Sequence, residues 1–333
     1  MTNRFGFIWL AGVRDLQWRR RRFTMAVLAT ALVFAITLLL AGFSESFSVE
    51  ANHLVDEIGV DGYVVRQETK GPFMSPRPFG TDQIEAIAQT PGLRSATPLV
   101  SLIQPDMYLI GFGSGPVSVD ERLNLKVGDP VLIGAETMTV ARVTHGHTVL
   151  GGQPVVVIPV RDAYDALFAG NRVVTSVAVN GEPTAALPDG FVYVARPEAT
   201  ADLLRPLNVV RNTIRLVSLL LWFAAAAIVG SVVYISTLER TRDLSVFKAT
   251  GASTADLLAA LVLQAVLTAV GASVAAIGLA YALAPAFPAA VSFPARILAL
   301  LPTVAVLIGL LASGAGLRRA ARVDPALAMG ASG

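Results

Sequence analysis

Four stretches of this chain run for about twenty residues or more with almost no charge, the length and composition of helices that cross a bilayer. They cover residues 23–43, 214–236, 257–283 and 297–317. Between the first and second lies a long segment, 44–213, in which short apolar runs alternate with polar ones. The pattern predicts an α-helical membrane protein with four transmembrane helices in a one-plus-three (1+3) arrangement. An α+β extracytoplasmic domain is inserted between helices 1 and 2.

Inside the insert, the β-branched run PVVVIPV (154–160) reads as a buried strand. Further strands are expected at 107–113, 138–144, 176–181 and 191–195, and short helices at 81–89, 161–170 and 199–207. The Pro- and Gly-rich stretch 71–80 reads as a surface loop. Residues 1–22 place Phe5, Ile8, Trp9, Val13 and Leu16 at helical spacing opposite Arg14, Asp15 and Gln17. That is the pattern of a helix lying on the inner membrane surface.

Charge sets the orientation. Arg4, Arg14 and the arginines at 19–22 precede the first apolar run, and Arg318, Arg319 and Arg322 follow the last, against only Asp15 and Asp324. Positive residues stay inside, so both termini are expected in the cytoplasm of a bacterial cell, which an even number of spans allows. Arg215 and Arg296 sit at span boundaries, where a long side chain reaches the interface. The insert carries 19 acidic and 12 basic residues, a net −7 by subtraction, and is too polar to enter the bilayer. The basic balance of the whole chain thus comes from topology-setting arginines and does not point to nucleic acid.

Composition narrows the chemistry. Apolar residues make up 54% of the chain and charged ones 15%. There is no cysteine, hence no disulfide or thiolate chemistry. The first apolar run exceeds a signal-peptide core, and LAGFSE (40–45) is a poor cleavage site, so an uncleaved span is expected. No G-x-x-x-x-G-K-[ST], G-x-S-x-G or H-E-x-x-H motif occurs, so no catalytic residue and no nucleotide site is assigned. His145 and His147 would share a side on a strand, but no third ligand is evident and the surrounding GHTVLGGQP reads as a solvated turn. No metal or cofactor is therefore expected in the chain. Ala272, Ala276 and Ala280 repeat every four residues, and Gly309 is followed by Ser313, a small-xxx-small spacing that lets helices pack closely within or between subunits.

The stretch ERTRDLSVFKATGAS (239–253) interrupts the apolar pattern between the second and third spans. Val246 and Phe247 put apolar side chains beside Glu239, Arg240, Arg242 and Lys248 on the cytoplasmic side. Gly251 is a natural helix stop, and Ser253 with Asp256 fits a capping box for the next helix. A knob of this kind lies on lipid or fits a groove on a partner.

This stretch resembles the E-R-x-R-[ED]-[IL]-G-V-x-K-A-x-G-A-[ST] segment of FtsX/MacB-type (type VII) ABC transporter permeases. RRAARVDPALAMG, with Arg322, Asp324, Pro325, Ala326 and Ala328, is similar to the family's closing segment. LNLKVGDPV (123–131), PVVVIPVRDAYDAL (154–167) and the one-plus-three layout also resemble it, closest to the DevC-like and haem-exporter-like permeases. Ser245 stands where the family usually has Gly, Thr250 where Leu is common, and the region before LNLKVGD is shortened.

The resemblance implies a permease subunit, not an enzyme, that couples ATP hydrolysis by a separate ATPase to mechanotransmission and to export or extraction of an amphiphilic substrate. ATP would be bound by that ATPase, and a second permease copy would complete the unit. Coupling would fall to Glu239, Arg240, Arg242, Val246, Phe247, Lys248 and Gly251 within the cytoplasmic segment 237–256. The remaining parts would be a short outer loop, 284–296, and a cytoplasmic tail, 318–333. Two other roles exist for such a chain: an FtsX-like regulator of a cell-wall hydrolase, and a haem efflux permease. Haem is poorly served, because all three histidines lie in the insert and the first two spans offer only Met25 and Tyr234, with Glu45 near the outer end.

Overall fold

The computed structural model describes residues 20–239, 254–286 and 291–321. Its residues separate into two units, Glu45–Arg211 and a helical unit formed by Met1–Ser44 with Asn212–Gly333. The elements in chain order are α1 (Arg20–Ile58), β1 (Gly62–Arg66), β2 (Phe79–Gly80), α2 (Asp82–Ala88), β3 (Ser95–Ile103), β4 (Tyr108–Phe112) and β5 (Ser118–Asp120). Then follow β6 (Pro130–Ile133), β7 (Glu136–Thr139), β8 (Arg142–Thr144), β9 (Thr148–Val149), β10 (Gln153–Ile158), α3 (Val160–Phe168), β11 (Val173–Val174), β12 (Ser176–Asn180) and β13 (Phe191–Ala195). The chain closes with α4 (Arg196–Leu204), α5 (Asn208–Glu239), α6 (Thr254–Leu283) and α7 (Ala295–Ala321).

Unit 45–211 is built on a mixed sheet in the order β13-β1-β12-β3-β4-β10-β5-β8, with β9 paired to β10. β4 and β10 run parallel, as do β5 and β8, and the other pairs are antiparallel. Apolar residues cover both faces, which is why the central strands read as continuous apolar runs. Along β1, Val64 enters one core while Tyr63 and Val65 enter the other. β12 divides the same way, with Val177 and Val179 on one side and Ala178 on the other.

The first core is closed by Ile87 of α2, by Val160, Ala163 and Tyr164 of α3, and by Val131 and Ile133 of the β6–β7 hairpin. The second is closed by Ala199 and Leu203 of α4, by Phe73, and by Ala51, Leu54 and Val55 from the last turns of α1. The result is an α+β three-layer arrangement. Five strands stand where the apolar runs predict them, except that 138–144 is split. Its first half pairs with β6 and its second with β5, around buried Val140.

The stretch 71–80 differs from the expected surface loop. Gly71, Pro72 and Phe73 are buried. The Phe73 carbonyl accepts the Tyr108 hydroxyl at 3.1 Å, and the Pro72 carbonyl accepts the Ser101 hydroxyl at 2.8 Å. Only its middle, where Ser75, Arg77 and Pro78 are exposed, behaves as a loop, and Phe79 is buried again where β2 pairs with β11. The Pro and Gly residues here are compatible with burial because side chains of the sheet meet their backbone groups.

In the helical unit, Ala272, Ala276 and Ala280 of α6 are fully buried and pack with Ala31, Phe34, Ala35 and Leu38 of α1, Ala225 of α5, and Leu301 and Ala305 of α7. Phe34 and Trp222 meet at 5.4 Å between ring centroids. A Cβ on Gly309 would lie 3.0 Å from the Cα of Val266, so α6 and α7 touch backbone to backbone there. Among the described residues, three helices, Phe23–Ile58, Arg196–Val232 and Val262–Ala286, are long and apolar enough to cross a membrane, and the apolar stretch of α7, Ala295–Leu311, is shorter.

Candidate functional site

The expected coupling segment lies between α5 and α6. Glu239 is the last residue of α5, and α6 begins at Thr254. Arg240, Arg242, Val246, Phe247, Lys248, Gly251 and Ser253 lie outside the described residues, as do residues 1–19 of the N-terminal amphipathic stretch and residues 322–333 of the C-terminal tail. Of the two haem-ligand candidates in the first two spans, Met25 is exposed on α1 and Tyr234 on α5.

Unit 45–211 carries a polar cluster that the sequence reading did not assemble. Glu50, His53 and Glu57 recur along one face of α1 at spacings of three and four, the period that aligns side chains on a helix. Against this face packs the loop 145–152. The N–H of Gly151 donates to Glu50 Oε2 at 2.9 Å. His147 brings Nε2 against Oε2 of Glu57, and the same carboxylate oxygen lies 3.9 Å from Nδ1 of His53. The two imidazoles stand edge to face, 5.6 Å apart and at 81°.

The backbone of His147 is fixed from both sides. Its N–H donates to Oδ2 of Asp120 at 2.7 Å, and its carbonyl accepts the N–H of Val155 at 2.9 Å. Asp120 is itself fully buried, and its other oxygen accepts the N–H of Arg122 at 3.1 Å, capping the short 3₁₀ turn that follows β5. Burial pushes the His147 imidazole below its ordinary pKa, with the Glu57 carboxylate opposing this.

The pair His145 and His147 therefore does not act together, and only half of the expected solvated turn is solvated. His147 is 3% exposed, whereas the His145 side chain is 80% exposed and meets Glu121 Oε2 at 2.7 Å. Gly146 between them has φ +68°, a left-handed conformation, so the two-residue period of a strand does not apply. The available signal was the helical spacing of His53 and Glu57, but nothing local connects those positions to His147.

Helices long and apolar enough to span a bilayer, in a chain that also folds an α+β unit, define an integral membrane protein. A family model described as the C-terminal part of FtsX-like permeases matches residues 215–325. Two uncharacterised ABC transporter permeases of Mycobacterium tuberculosis are 40% and 39% identical over 345 aligned residues. One of Mycobacterium bovis is 40% identical. Each alignment covers 96% of this chain and 99% of the relative. The chain belongs to the FtsX-like ABC transporter permeases.

Proposed function

We propose that this chain is the membrane subunit through which a separate ATPase drives mechanotransmission and the export or extraction of an amphiphilic substrate. Within the family we assign it to the short DevC-like branch. Its layout is then one span, the outer domain and three further spans, with both termini in the cytoplasm of a bacterial cell. The observation that carries the reading is the extent of the family match. Residues 215–325 include the whole segment 240–253, whose Phe247 and Val246, flanked by Arg242 and Lys248, have the chemistry of a plug for a groove on a cytosolic partner.

The nearly charge-free spans favour a mechanical device over a polar-solute path, because an ionisable binding site in a span is costly and kept only for use. The apolar stretch of α5 leaves most of its surface uncovered by the rest of the chain, with Leu216, Leu220 and Phe223 exposed. Lipid or a second permease copy would cover that face, and a homodimer bound to two ATPase subunits uses it best.

Reconstitution with its partner ATPase tests this reading. ATPase activity rising with added amphiphile, and lost on Phe247→Ala while the complex still assembles in the membrane, is the expected result. Unchanged coupling in Phe247→Ala refutes the assignment of the segment. A cell-wall hydrolase captured by the outer unit, with no response to any amphiphile, replaces transport by regulation.

A further inference from the structure

We infer that His53, Glu57 and His147 form a binding site for one zinc-class divalent ion, which fastens the loop 145–152 to the end of α1. The ligand atoms of the three residues lie within 4.8 Å of one another. In tetrahedral zinc geometry, with bonds of about 2.0–2.1 Å, they would sit about 3.3 Å apart. Reaching that spacing draws His53 inward and moves the Glu57 oxygen back from His147, and both of these residues lie on the exposed side of the cluster.

His147 supplies the second, independent observation. Its side chain is 97% removed from solvent on the 3% exposure above, and its Nε2 makes no hydrogen bond of acceptable geometry. That nitrogen is aimed at the carboxylate of Glu57, itself flanked by the second imidazole. A bound ion would give this buried nitrogen the well-aligned partner it lacks.

The donor set chooses the ion. Two imidazole nitrogens and one carboxylate suit zinc and its first-row neighbours, whereas calcium and magnesium take oxygen. Two ligands come from one helical face and the third from a loop ninety residues further on (147 minus 57), so the ion closes a long loop. The bonds from Asp120 and Val155 to the His147 backbone hold that ligand in place before binding. His53 and Glu57 are 60% and 48% exposed, which leaves a coordination position to water. The site thus works as a brace with an open side, between the C-terminal turns of α1 and the loop 145–152 within the unit 45–211. This inference does not rest on the transport reading.

The test uses the full-length protein in detergent, without a polyhistidine tag and stripped with chelator. Added Zn²⁺ is expected to bind at about one ion per chain and to raise the Tm of the unit 45–211 by several degrees. Co²⁺ should give visible absorption bands of a low-coordinate nitrogen and oxygen site. His53→Ala and Glu57→Gln, at exposed positions where folding is not at stake, should each weaken binding at least about tenfold. His145→Ala should bind as the parent does. No stoichiometric ion in the parent overturns the inference. So does binding that survives both His53→Ala and Glu57→Gln, or that falls equally in His145→Ala.

Discussion

The carboxylate of Asp202 on α4 accepts the backbone N–H of Phe73 at 2.8 Å, although 129 residues separate them. The same oxygen accepts the N–H of Met74 at 3.0 Å, while the other oxygen meets Arg205 Nη1 at 3.0 Å. Asp202 is fully buried, and a Cβ on Gly71 would lie 2.3 Å from its Cγ. The loop 71–74 is therefore closed over a buried anion and needs glycine at its entrance. Asp202→Ala leaves two amides and a guanidinium without their partner and should cost about 3–5 kcal/mol. Hydrogen exchange at the Phe73 and Met74 amides should accelerate first. Protection as in the parent would show that water replaces the carboxylate.

Phe73 also shows where legibility ended. GPFMSPRPFG carries turn composition, and nothing local reveals a carboxylate waiting beyond residue 200. By contrast, β10 declared itself through PVVVIPV because it is central and buried on both faces. β3 did not, since Pro98 argues against a central strand. Pro98 in fact pairs with Val177 of β12 beyond the end of the β3–β4 pairing, which begins at Leu99. There a missing N–H costs no ladder bond. Helices were legible wherever twenty apolar residues run together. The His53–Glu57–His147 cluster was not, because its helix reads as the continuation of a span and its third member sits on a loop.

Gly309 against Val266 sets the spacing of α6 and α7. A Cβ there would meet backbone atoms of Ala265 and Val266 at 3.0–3.1 Å, and neither can rotate away. Gly309→Ala should force the helices apart by a few tenths of an ångström, and Gly309→Leu by far more. Overpacking of this kind costs about 1–3 kcal/mol. Thermal unfolding in detergent should show the order parent, Ala, Leu. An alanine variant as stable as the parent would mean that the contact is loose.

Asp61, just before β1, should contribute to acid sensitivity. Its Oδ2 accepts the Gly181 N–H at 2.7 Å and Arg94 Nη2 at 2.8 Å, and these bonds, the Gly181 amide foremost, lower its pKa below the ordinary value. A carboxylate with a depressed folded pKa contributes stability above its unfolded pKa. That contribution fades as pH falls through the folded value. Below about pH 4 the parent should lose stability that Asp61→Asn never had. The two melting curves should therefore converge on acidification. Curves that stay parallel from neutral pH to pH 3 would remove Asp61 from the account.

The last turns of α1 belong to the core of the sheet-bearing unit. Ala51, Leu54 and Val55 are 3%, 1% and 1% exposed and pack with Tyr63, Tyr108 and Leu203. The apolar helix that begins at Phe23 thus continues without a break into residues that hold the second core together. Leu54→Ala removes a fully buried side chain and should cost about 2–5 kcal/mol, the range set by how far the site collapses. If force passes along α1 in the transport cycle, Leu54→Ala should also lower substrate-dependent ATPase stimulation while leaving the basal rate of the reconstituted complex intact. An exposed control on the same helix, Val49→Ala, should change neither quantity, since Val49 is 47% exposed. Loss of stability with full stimulation would separate the two roles, leaving α1 as an anchor for the unit and not as its drive.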